Sequence, residues 1–426
     1  MDLKELHQRF LNSSGVCTDT RAITSNCLFF ALKGANFNGN EFAHQALESG
    51  ASFAVIDDLR YHLNTGKTIL CKDVLKRLQD LSSFHRTALG LPIISITGSN
   101  GKTTSKELIH AVLAQKMATT ATKGNLNNHI GVPLTLLSLS KDTEMGVVEM
   151  GANHHGEIEA LCEIAQPDFG YITNFGKAHI EGFGSLEGVV KAKSEMYRHL
   201  AKNGKTVFVN ANDQKQLELT SGMNTISFGK DGTDYPISLL EADPFVRVRY
   251  QDTEIRSQLI GTYNFHNIAA SVAIGLNFGV SIDRIKNAIE NYVPSMNRSE
   301  IVQKNGKEII LDAYNANPSS MNAALEHFFH TNRNQGALIL GDMFELGETA
   351  AQEHQAIADL LSAKEDLDVY LVGTNFDGVQ TSASHIRSFP SFDALSEQLK
   401  RSPIEAQNIL IKGSRGMALE RCLELL

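Results

Sequence analysis

A glycine-rich segment that ends in a lysine and two threonines carries the strongest chemical signal in the sequence. It follows the apolar run Ile93–Thr97, precedes a helical pattern over 103–115, and reads Gly98-Ser99-Asn100-Gly101-Lys102-Thr103-Thr104. A helix N-terminus offers free N–H groups to a phosphate, and glycines let the backbone approach it. In such loops the lysine reaches the β- and γ-phosphates and the next hydroxyl binds Mg²⁺. The spacing is shorter than G-x-x-x-x-G-K-[ST], and a plain glycine turn is the alternative interpretation.

Two further polar side chains are predicted to follow neighbouring strands. Glu149 lies near the end of the strand-like run Gly146–Met150, and His179 lies in the loop after Phe169–Thr173. Because parallel strands bring their C-terminal ends to one edge of a sheet, we expect both residues near the phosphate loop. Such a loop needs an acidic partner for its metal, so Glu149 is the favoured Mg²⁺ ligand. An ordinary strand-end glutamate and a surface histidine are the alternatives.

Lys193 interrupts an apolar stripe in a helix predicted over 186–201. The stripe consists of Leu186, Val189, Val190, Met196, Tyr197 and Leu200. Spacings of three and four residues put Lys193 on the same face. Burial lowers the pKa of a lysine, and its unprotonated amine can react with CO₂ to form a carbamate. Periodicity alone favours the other interpretation, a lysine at the stripe's edge whose ammonium reaches water.

The elements that position these residues indicate an α/β protein. Residues 1–82 have the pattern of a small α/β unit. Over 83–297 apolar strands alternate with helices, which predicts a parallel sheet, and residues 237–260 form a short antiparallel strand pair.

A second alternation of strands and helices begins after the proline-bearing connector 292–297. It predicts a Rossmann-like unit over 298–426 whose last helix spans 416–425. No G-x-G-x-x-G follows any of its strands, so a dinucleotide site there has no support.

Length and composition agree with several folded domains. At about 150 residues per domain, 426 residues give about three. The net charge of −9 lacks the overall field expected for nucleic-acid binding, so we expect no nucleic-acid partner. Five scattered cysteines without a C-x-x-C pair predict reduced thiols in a cytoplasmic protein. We expect no signal peptide and no membrane span.

Several longer segments together resemble the Mur ligase family. They are TGSNGKTT, VVEMGANHHGEI, TNFGKAHIEGFGS, VKAKSEMY, NFHNIAAS, MNRSE, LDAYNANPSSM and LGDMFELGE. The last two, with TDTR, LFFALKG and GNLNNHIGVPLTLL near the N-terminus, resemble members that add D-alanyl-D-alanine to UDP-N-acetylmuramoyl-tripeptide. The resemblance covers essentially the whole chain in collinear order. It implies a nucleotide-sugar domain over 1–82, a central ATP-binding domain over 83–297, and a Rossmann-like domain over 298–426 that receives the amine substrate.

The resemblance also implies residue roles. Catalytic roles fall on Lys102, His179 and Lys193. The metal ligands would be Thr103, Glu149, His179 and a carbamoylated Lys193. ATP contacts beyond the loop 98–104 would come from Asn267, Arg298 and Asp312. The nucleotide-sugar substrate would be bound by Thr20, Arg21, Asn127, Asn128 and His154. Ala270 stands where the family often has a second asparagine after the adenine contact, so only Asn267 is assigned to adenine.

The implied cofactors are ATP and two Mg²⁺ ions, and the implied partners are the two small-molecule substrates of a monomeric enzyme. Folylpolyglutamate synthetase shares the later domains, but residues 1–82 argue against it. The ligase that adds the third peptide residue usually carries D-N-P-R, which is absent. A P-loop switch or transport ATPase, and a non-catalytic nucleotide-sugar binder, are the remaining alternatives; Lys102, Thr103 and Glu149 argue against the binder.

Overall fold

The computed structural model describes residues 1–331 and 335–426, in which three main β-sheets follow one another along the chain. The N-terminal part (1–82) has a parallel sheet with the strand order Val16–Cys17, Leu28–Phe30, Phe53–Ile56 and Thr68–Leu70. A small hairpin pairs Lys33–Gly34 with Phe37–Asn38. The helices are Leu3–Leu11, Ala43–Glu48 and Val74–Leu89, with 3₁₀ turns at Thr20–Ala22, Gly39–Phe42 and Leu59–Tyr61. The helix Val74–Leu89 runs across the boundary predicted at residue 82.

The central part (83–297) is built on a nine-stranded sheet. Its order is Thr253–Arg256, Arg247–Tyr250, Tyr235–Glu241, Asn224–Gly229, Thr206–Asn210, Phe169–Ile172, Ile93–Thr97, Met145–Glu149 and Thr119–Ala121. The pairs are parallel from Tyr235–Glu241 to Thr119–Ala121 and antiparallel beyond. The antiparallel pair expected within 237–260 is confirmed. Every residue of Ile93–Thr97 is buried, as its continuous apolar run predicts for a central strand.

Helices cover both faces of this sheet. They are Lys102–Leu113, Gly131–Leu137, Glu157–Ala165, Ile180–Phe183, Leu186–Lys193, Glu195–Lys202, Gln214–Leu219, Asn264–Asn277 and Ile282–Glu290. The apolar side chains form one core layer on each face, which is the arrangement of doubly wound α/β domains. The single helix expected over 186–201 is wrong. The chain forms two helices, because Ser194 has ψ −4° and separates them.

The C-terminal part (298–426) has a six-stranded sheet in the order Glu300–Lys304, Lys307–Asp312, Asn408–Lys412, Ala337–Gly341, Asp368–Val372 and Ile386–Phe389. Only the first pair is antiparallel. The helices are Pro318–His330, Ala350–Ser362, Thr374–Asp377 and Phe392–Arg401, with a 3₁₀ turn at Gly347–Thr349. The helix expected over 416–425 is wrong in type: Ala418 has φ +48° and divides the segment into the 3₁₀ helices Arg415–Met417 and Leu419–Leu425.

Two further expectations concern the whole chain. All five cysteines are free thiols, as their scatter predicts. Within residues 1–331 and 335–426, none of the helices combines the length and the apolar character needed to cross a bilayer.

Candidate active site

The phosphate loop lies between the buried strand Ile93–Thr97 and the helix Lys102–Leu113. No side chain caps that helix, so its first N–H groups are open to an anion. Gly98 has φ +143°, and a Cβ there would lie 1.9 Å from Thr173 Oγ1. Only glycine fits such a position. The loop therefore has the open helix end and the tight backbone turn that phosphate binding requires.

The loop is held by the segment that follows the neighbouring strand Phe169–Ile172. The Asn100 N–H donates to Asn174 Oδ1 at 3.0 Å, and the Ser99 hydroxyl donates to the Gly176 carbonyl at 2.9 Å. These bonds fix the shape of the loop before a ligand binds, so little ordering entropy would be lost on binding.

Lys102 folds back over the loop. Its Nζ donates to the carbonyls of Gly98 at 2.7 Å and Ser99 at 3.2 Å. Burial lowers the pKa of Lys102, Arg298 lowers it further, and Glu149 opposes both effects. A bound polyphosphate would add negative charge beside this cation and stabilise its protonated form.

Glu149 contacts the phosphate loop where the helix Lys102–Leu113 begins. Its Oε1 accepts from the Thr103 hydroxyl at 3.2 Å and from Asn127 Nδ2 at 2.8 Å. Its Oε2 is buried and has no hydrogen-bond partner among the residues described. A buried carboxylate oxygen without a donor is costly unless a cation compensates it. Hydroxyl and carboxylate oxygens are the ligands that Mg²⁺ prefers, so this pair fits a magnesium ion.

His179 pairs with a residue of the C-terminal part. Its Nδ1 contacts the carboxylate of Glu345. The hydrogen bond with His179 lowers the pKa of Glu345. The ring of His179 also lies edge-on to Phe183, with the centroids 6.4 Å apart. The contact with Glu345 involves Nδ1, so Nε2 is the nitrogen that a neutral imidazole would offer to a metal.

Lys193 is fully buried, so the interpretation that its ammonium reaches water is wrong. Its Nζ donates to the Ala152 carbonyl at 3.1 Å and lies 5.1 Å from the centroid of the Phe183 ring. Burial holds the pKa of Lys193 well below its ordinary value, and the charge of Lys102 lowers it further. Both effects favour the unprotonated amine.

The four side chains predicted to bind metal fall into two pairs. Thr103 and Glu149 are hydrogen-bonded to each other, and His179 and Lys193 both contact the ring of Phe183. Across the described ranges, no group of three or more His, Cys, Asp or Glu side chains is arranged to hold a metal ion. The predicted set contains only two residues of those types, Glu149 and His179.

Asn267, the predicted adenine contact, lies directly behind the phosphate loop. Its Oδ1 accepts from the Ser105 hydroxyl at 3.0 Å and its Nδ2 donates to Asn264 Oδ1 at 2.8 Å. A Cβ on Gly101 would lie 2.6 Å from Asn267 Oδ1. In this arrangement Asn267 supports the loop through its amide.

Arg298 and Asp312 both line the cavity at the start of the C-terminal part. The Arg298 guanidinium stacks on the Tyr314 ring at 3.5 Å, and its buried Nε has no hydrogen-bond partner in the described chain. Asp312 pairs with buried Lys412 and accepts from the Ser299 N–H at 3.1 Å. Arg298 therefore has donor capacity left for a ligand.

Other residues of the C-terminal part dock directly on the loops of the central part. Asn317 Nδ2 donates to Asn100 Oδ1 at 2.7 Å, and Ser319 Oγ accepts from the Lys177 N–H at 2.9 Å. Asn317 also caps the helix Pro318–His330 through a capping box, which orients that helix toward the phosphate loop.

A cavity of about 920 Å³ unites most of these side chains. The predicted site residues that line it are Ser99, Asn100, Gly101, Lys102, Thr103, Thr104, Asn127, Asn128, Glu149, His179, Asn267, Arg298 and Asp312. Gln79 of the helix Val74–Leu89 also lines it, so all three parts of the chain contribute.

Five predicted residues lie outside the lining: Thr20, Arg21, Gly98, His154 and Lys193. Arg21 is exposed and pairs with Asp19 at 2.7 Å. His154 is exposed and pairs with Glu157 at 3.7 Å. Thr20 begins a short 3₁₀ helix.

Sequence reasoning missed several residues of the cavity wall, namely Tyr314, Phe344, Glu345, Lys412 and Arg415. Each follows or ends one of three strands of the C-terminal sheet, Lys307–Asp312, Ala337–Gly341 and Asn408–Lys412. The rule that located Glu149, that ligands bind at the carboxyl edge of parallel strands, applies equally to them.

Comparison with protein families gives three consecutive matches. The model described as "Mur ligase family, catalytic domain" matches residues 12–82. "Mur ligase middle domain" matches residues 96–275, and "Mur ligase, glutamate ligase domain" matches residues 297–415.

Comparison with individual proteins gives matches over nearly the full length. A relative from Bacillus subtilis (strain 168), "UDP-N-acetylmuramoyl-tripeptide--D-alanyl-D-alanine ligase", is 33% identical over 96% of this chain and 92% of the relative. The crystal structure of MurF from Acinetobacter baumannii superimposes with a TM-score of 0.85 and 30% identity, covering 99% of this chain and 97% of the other. MurF ligase from Thermotoga maritima in complex with ADP has a TM-score of 0.85 and 25% identity, covering 97% of each chain.

Proposed function

This chain belongs to the Mur ligase family, and we propose that it is the ATP-dependent ligase that joins D-alanyl-D-alanine to the terminal carboxylate of UDP-N-acetylmuramoyl-tripeptide. The full-length relative from Bacillus subtilis bears the name of this activity. The observation that carries the proposal is one cavity in which the phosphate loop and Glu149 face residues of the C-terminal part. The product is a precursor of peptidoglycan.

The reaction forms an amide from a carboxylate, which is a poor acyl donor in water. Transfer of the γ-phosphoryl group of ATP to the carboxylate of the tripeptide gives an acyl phosphate and ADP. The amine of D-alanyl-D-alanine then attacks the acyl carbon. The tetrahedral intermediate expels phosphate, and the nitrogen loses a proton to give the amide. Positive charge held around the transferring group lowers the barrier of the first step.

The ATP site is assigned to the loop 98–104 with its helix N-terminus. Lys102 binds the transferring phosphoryl group, and Asn267 contacts the adenine. Arg298 and Asp312 reach the nucleotide from the C-terminal part, and Arg298 has an unpartnered donor in support of this role. Docking of the C-terminal part over the loops excludes water, which would otherwise hydrolyse the acyl phosphate.

Two magnesium ions complete the site in this proposal. Thr103 and Glu149 would hold one, and His179 with a carbamate on Lys193 would hold the other. Bound Mg²⁺ would neutralise charge on the phosphoryl oxygens. The buried, unpartnered Oε2 of Glu149 supports the first assignment.

Carbamoylation of Lys193 needs an unprotonated amine and shelter from water. Its complete burial and lowered pKa support both conditions. The nitrogen of Lys193 attacks CO₂, an N–C bond forms, and the nitrogen loses one proton. The carbamate nitrogen keeps an N–H that can still donate to the Ala152 carbonyl.

Two groups of residues are assigned to the nucleotide-sugar substrate. One group lines the cavity, and the other lies mainly in the N-terminal part. Asn127 and Asn128 line the cavity beside Glu149, where the tripeptide carboxylate must arrive. Thr20 and Arg21 bind the uridine diphosphate outside the cavity, and His154 contacts the same substrate at the margin of the cavity.

The chain thus divides into a nucleotide-sugar domain over 1–82, an ATP domain over 83–297 and an amine-substrate domain over 298–426. Because one chain closes the cavity, we expect a monomer, acting in the cytoplasm.

The test is ADP release by the full chain with all three substrates and with each one omitted, and the mass of the product. We expect ADP release to require both the tripeptide and D-alanyl-D-alanine, and the product to contain the added dipeptide. A Lys102→Met variant should lose activity, whereas Lys76→Met, an exposed lysine on the helix Val74–Leu89, should keep it. ADP release that needs neither co-substrate would indicate a switch or transport ATPase and refute the proposal.

A further inference from the structure

Arg415 is an exposed cation of the cavity wall, and no carboxylate of residues 1–331 or 335–426 neutralises it. It follows the strand Asn408–Lys412 and begins the 3₁₀ helix Arg415–Met417, at the carboxyl edge of the C-terminal sheet. Its guanidinium makes a long hydrogen bond of 3.4 Å to the Tyr314 hydroxyl and lies 5.3 Å from the centre of that ring. No ion pair of Arg415 occurs among the residues that the structure describes.

The other lysines and arginines that line the cavity either bind a group of the protein or are assigned to the nucleotide. Lys412 is buried against Asp312. Lys102 bends over the carbonyls of its own loop. Arg298 stacks on Tyr314 at 3.5 Å and is assigned to the nucleotide in the proposed function. Arg415 is the remaining cation, and it belongs to the part of the chain assigned to the amine substrate.

The amine substrate brings a negative charge that the reaction never consumes. D-alanyl-D-alanine reacts through its amine, while its C-terminal carboxylate stays ionised throughout. The cavity also contains Glu149, Glu157, Asp312 and Glu345, whose carboxylates offer that group no hydrogen-bond donor. A second anion therefore needs its own cation, and a guanidinium suits a carboxylate because two parallel N–H bonds can form.

An apolar surface for a methyl group lies next to Arg415. Phe344 lines the cavity with 42% of the residue exposed. A Cβ on Gly416 would lie 2.8 Å from the Phe344 ring, and the Phe344 N–H donates to Ser414 Oγ at 2.9 Å. The Phe344 ring thus lies against Gly416 while the Phe344 backbone is bonded to Ser414, on the two sides of Arg415. A cation beside a small apolar face matches the C-terminal alanine of the dipeptide.

We propose that Arg415 binds the C-terminal carboxylate of the D-alanyl-D-alanine substrate and selects amines that carry one. This proposal rests on the proposed ligase function. It assigns Arg415 to specificity and binding, and it leaves the phosphoryl transfer to the residues around Lys102.

The experiment pairs a change in the enzyme with the matching change in the substrate. The full chain and its Arg415→Met variant are compared with D-alanyl-D-alanine and with D-alanyl-D-alaninamide, which lacks the negative charge. We expect Arg415→Met to raise the KM for D-alanyl-D-alanine about 10- to 100-fold, as for loss of a charge-assisted hydrogen bond. The KM values for ATP and the tripeptide substrate should change less than about twofold. With the amide substrate, wild type and variant should behave alike, because the partner of Arg415 is gone.

Two control variants test whether the effect of Arg415→Met is specific to the guanidinium at this position. Arg415→Lys should give an intermediate KM, because it keeps the charge and loses the planar fork. Arg401→Met removes an exposed arginine of the same part of the chain, outside the cavity, and should resemble wild type. A raised KM for ATP in Arg415→Met, or an equal loss with both dipeptides, would overturn the assignment. If Arg415→Met fails to fold, the wild type alone decides, since equal use of dipeptide and amide also overturns it. Absence of any amide product from wild type and D-alanyl-D-alanine would instead refute the ligase function.

Discussion

The carboxylate of Glu345 contacts Nδ1 of His179 and joins the C-terminal part to the central part. Both residues have left-handed backbones, with φ +62° for Glu345 and +53° for His179. Such a conformation costs roughly 1–2 kcal/mol for a residue with a side chain. The Glu345 carbonyl also accepts from the Glu181 N–H at 3.1 Å. The contact is therefore held by backbone and side chain together, beside the proposed second metal site.

Glu345 is expected to orient His179 for metal binding. A histidine ligand usually donates its other nitrogen to a carboxylate or carbonyl, and loss of that partner typically costs about 10- to 100-fold in metal affinity or activity. We expect Glu345→Gln to lower kcat by about tenfold and to raise the Mg²⁺ concentration required. The measurements are a Mg²⁺ titration of ligase activity and Mn²⁺ binding followed by electron paramagnetic resonance. Glu348→Gln, on the same loop and exposed, serves as the control. Unchanged Mn²⁺ affinity in Glu345→Gln would contradict the role.

The sequence predicts the buried strands of the fold better than the exposed ones. The strand Ile93–Thr97 lies inside the sheet and reads as a continuous apolar run, so the sequence predicts its bounds. The strands Asn224–Gly229 and Glu300–Lys304 were not predicted. Much of each is exposed or half-buried, so no apolar run marks them.

The sequence also predicts those site residues that lie at the carboxyl ends of adjacent parallel strands. Thr103 and Glu149 meet because adjacent parallel strands end at one edge, and sequence alone can express that rule. The pair of His179 and Glu345 depends on how the C-terminal part docks on the central part, which no local pattern encodes. The burial of Lys193 was hidden for a related reason. The stripe places Lys193 on the buried face, but periodicity cannot distinguish the middle of that face from its edge, where the ammonium would reach water.

Gly98 is expected to tolerate no side chain. Alanine there would place its Cβ 1.9 Å from Thr173 Oγ1 and would keep φ near +143°. We expect Gly98→Ala to abolish ATP binding and to lower the free energy of unfolding by more than about 2 kcal/mol. Calorimetric titration with ATP and chemical denaturation measure the two effects. Gly204→Ala is the matched control, because φ is +61° and nothing lies within 4 Å of the added Cβ. It should lose only about 1 kcal/mol and bind ATP normally. Equal effects of the two variants would show that contact with Thr173 is unimportant.

We expect the carbamate of Lys193 to be essential for ligase activity. Lys193→Ala should lower kcat by at least about 100-fold, and short carboxylates such as acetate should restore part of the activity by supplying the lost anion. Incubation of wild type with ¹³C-labelled bicarbonate should give a carbamate resonance that is absent from the variant. Lys191→Ala changes an exposed lysine of the same helix and should keep both activity and resonance. Full activity in Lys193→Ala would refute the proposed role.

A buried pair of histidines ties the N-terminal helix Leu3–Leu11 to the helix Val74–Leu89. His7 Nε2 lies 3.0 Å from His85 Nδ1, and His85 Nε2 lies 2.9 Å from the Leu139 carbonyl. A carbonyl only accepts, so His85 Nε2 carries a proton and His85 Nδ1 accepts from His7. Protonation of His85 Nδ1 would break that bond and place charge in an apolar environment. Burial lowers the pKa of both histidines below the ordinary 6.5, and the charge of His85 adds to the effect on His7.

The sign of the resulting pH dependence follows from proton uptake. Above pH 6.5 both histidines are neutral in the folded and unfolded chain, and the pair contributes its full stability. As the pH falls through 6.5, the unfolded chain binds protons that the folded chain does not, so the free energy of unfolding falls. We expect the double variant His7→Gln/His85→Gln to flatten this fall between pH 7.5 and 5.5, measured by urea denaturation at each pH. His199, His266 and His354 also have lowered pKa values, so part of the slope should persist. His44→Gln, which removes an exposed imidazole, is the control. A double variant with the wild-type slope would mean that the pair stays hydrogen-bonded when protonated.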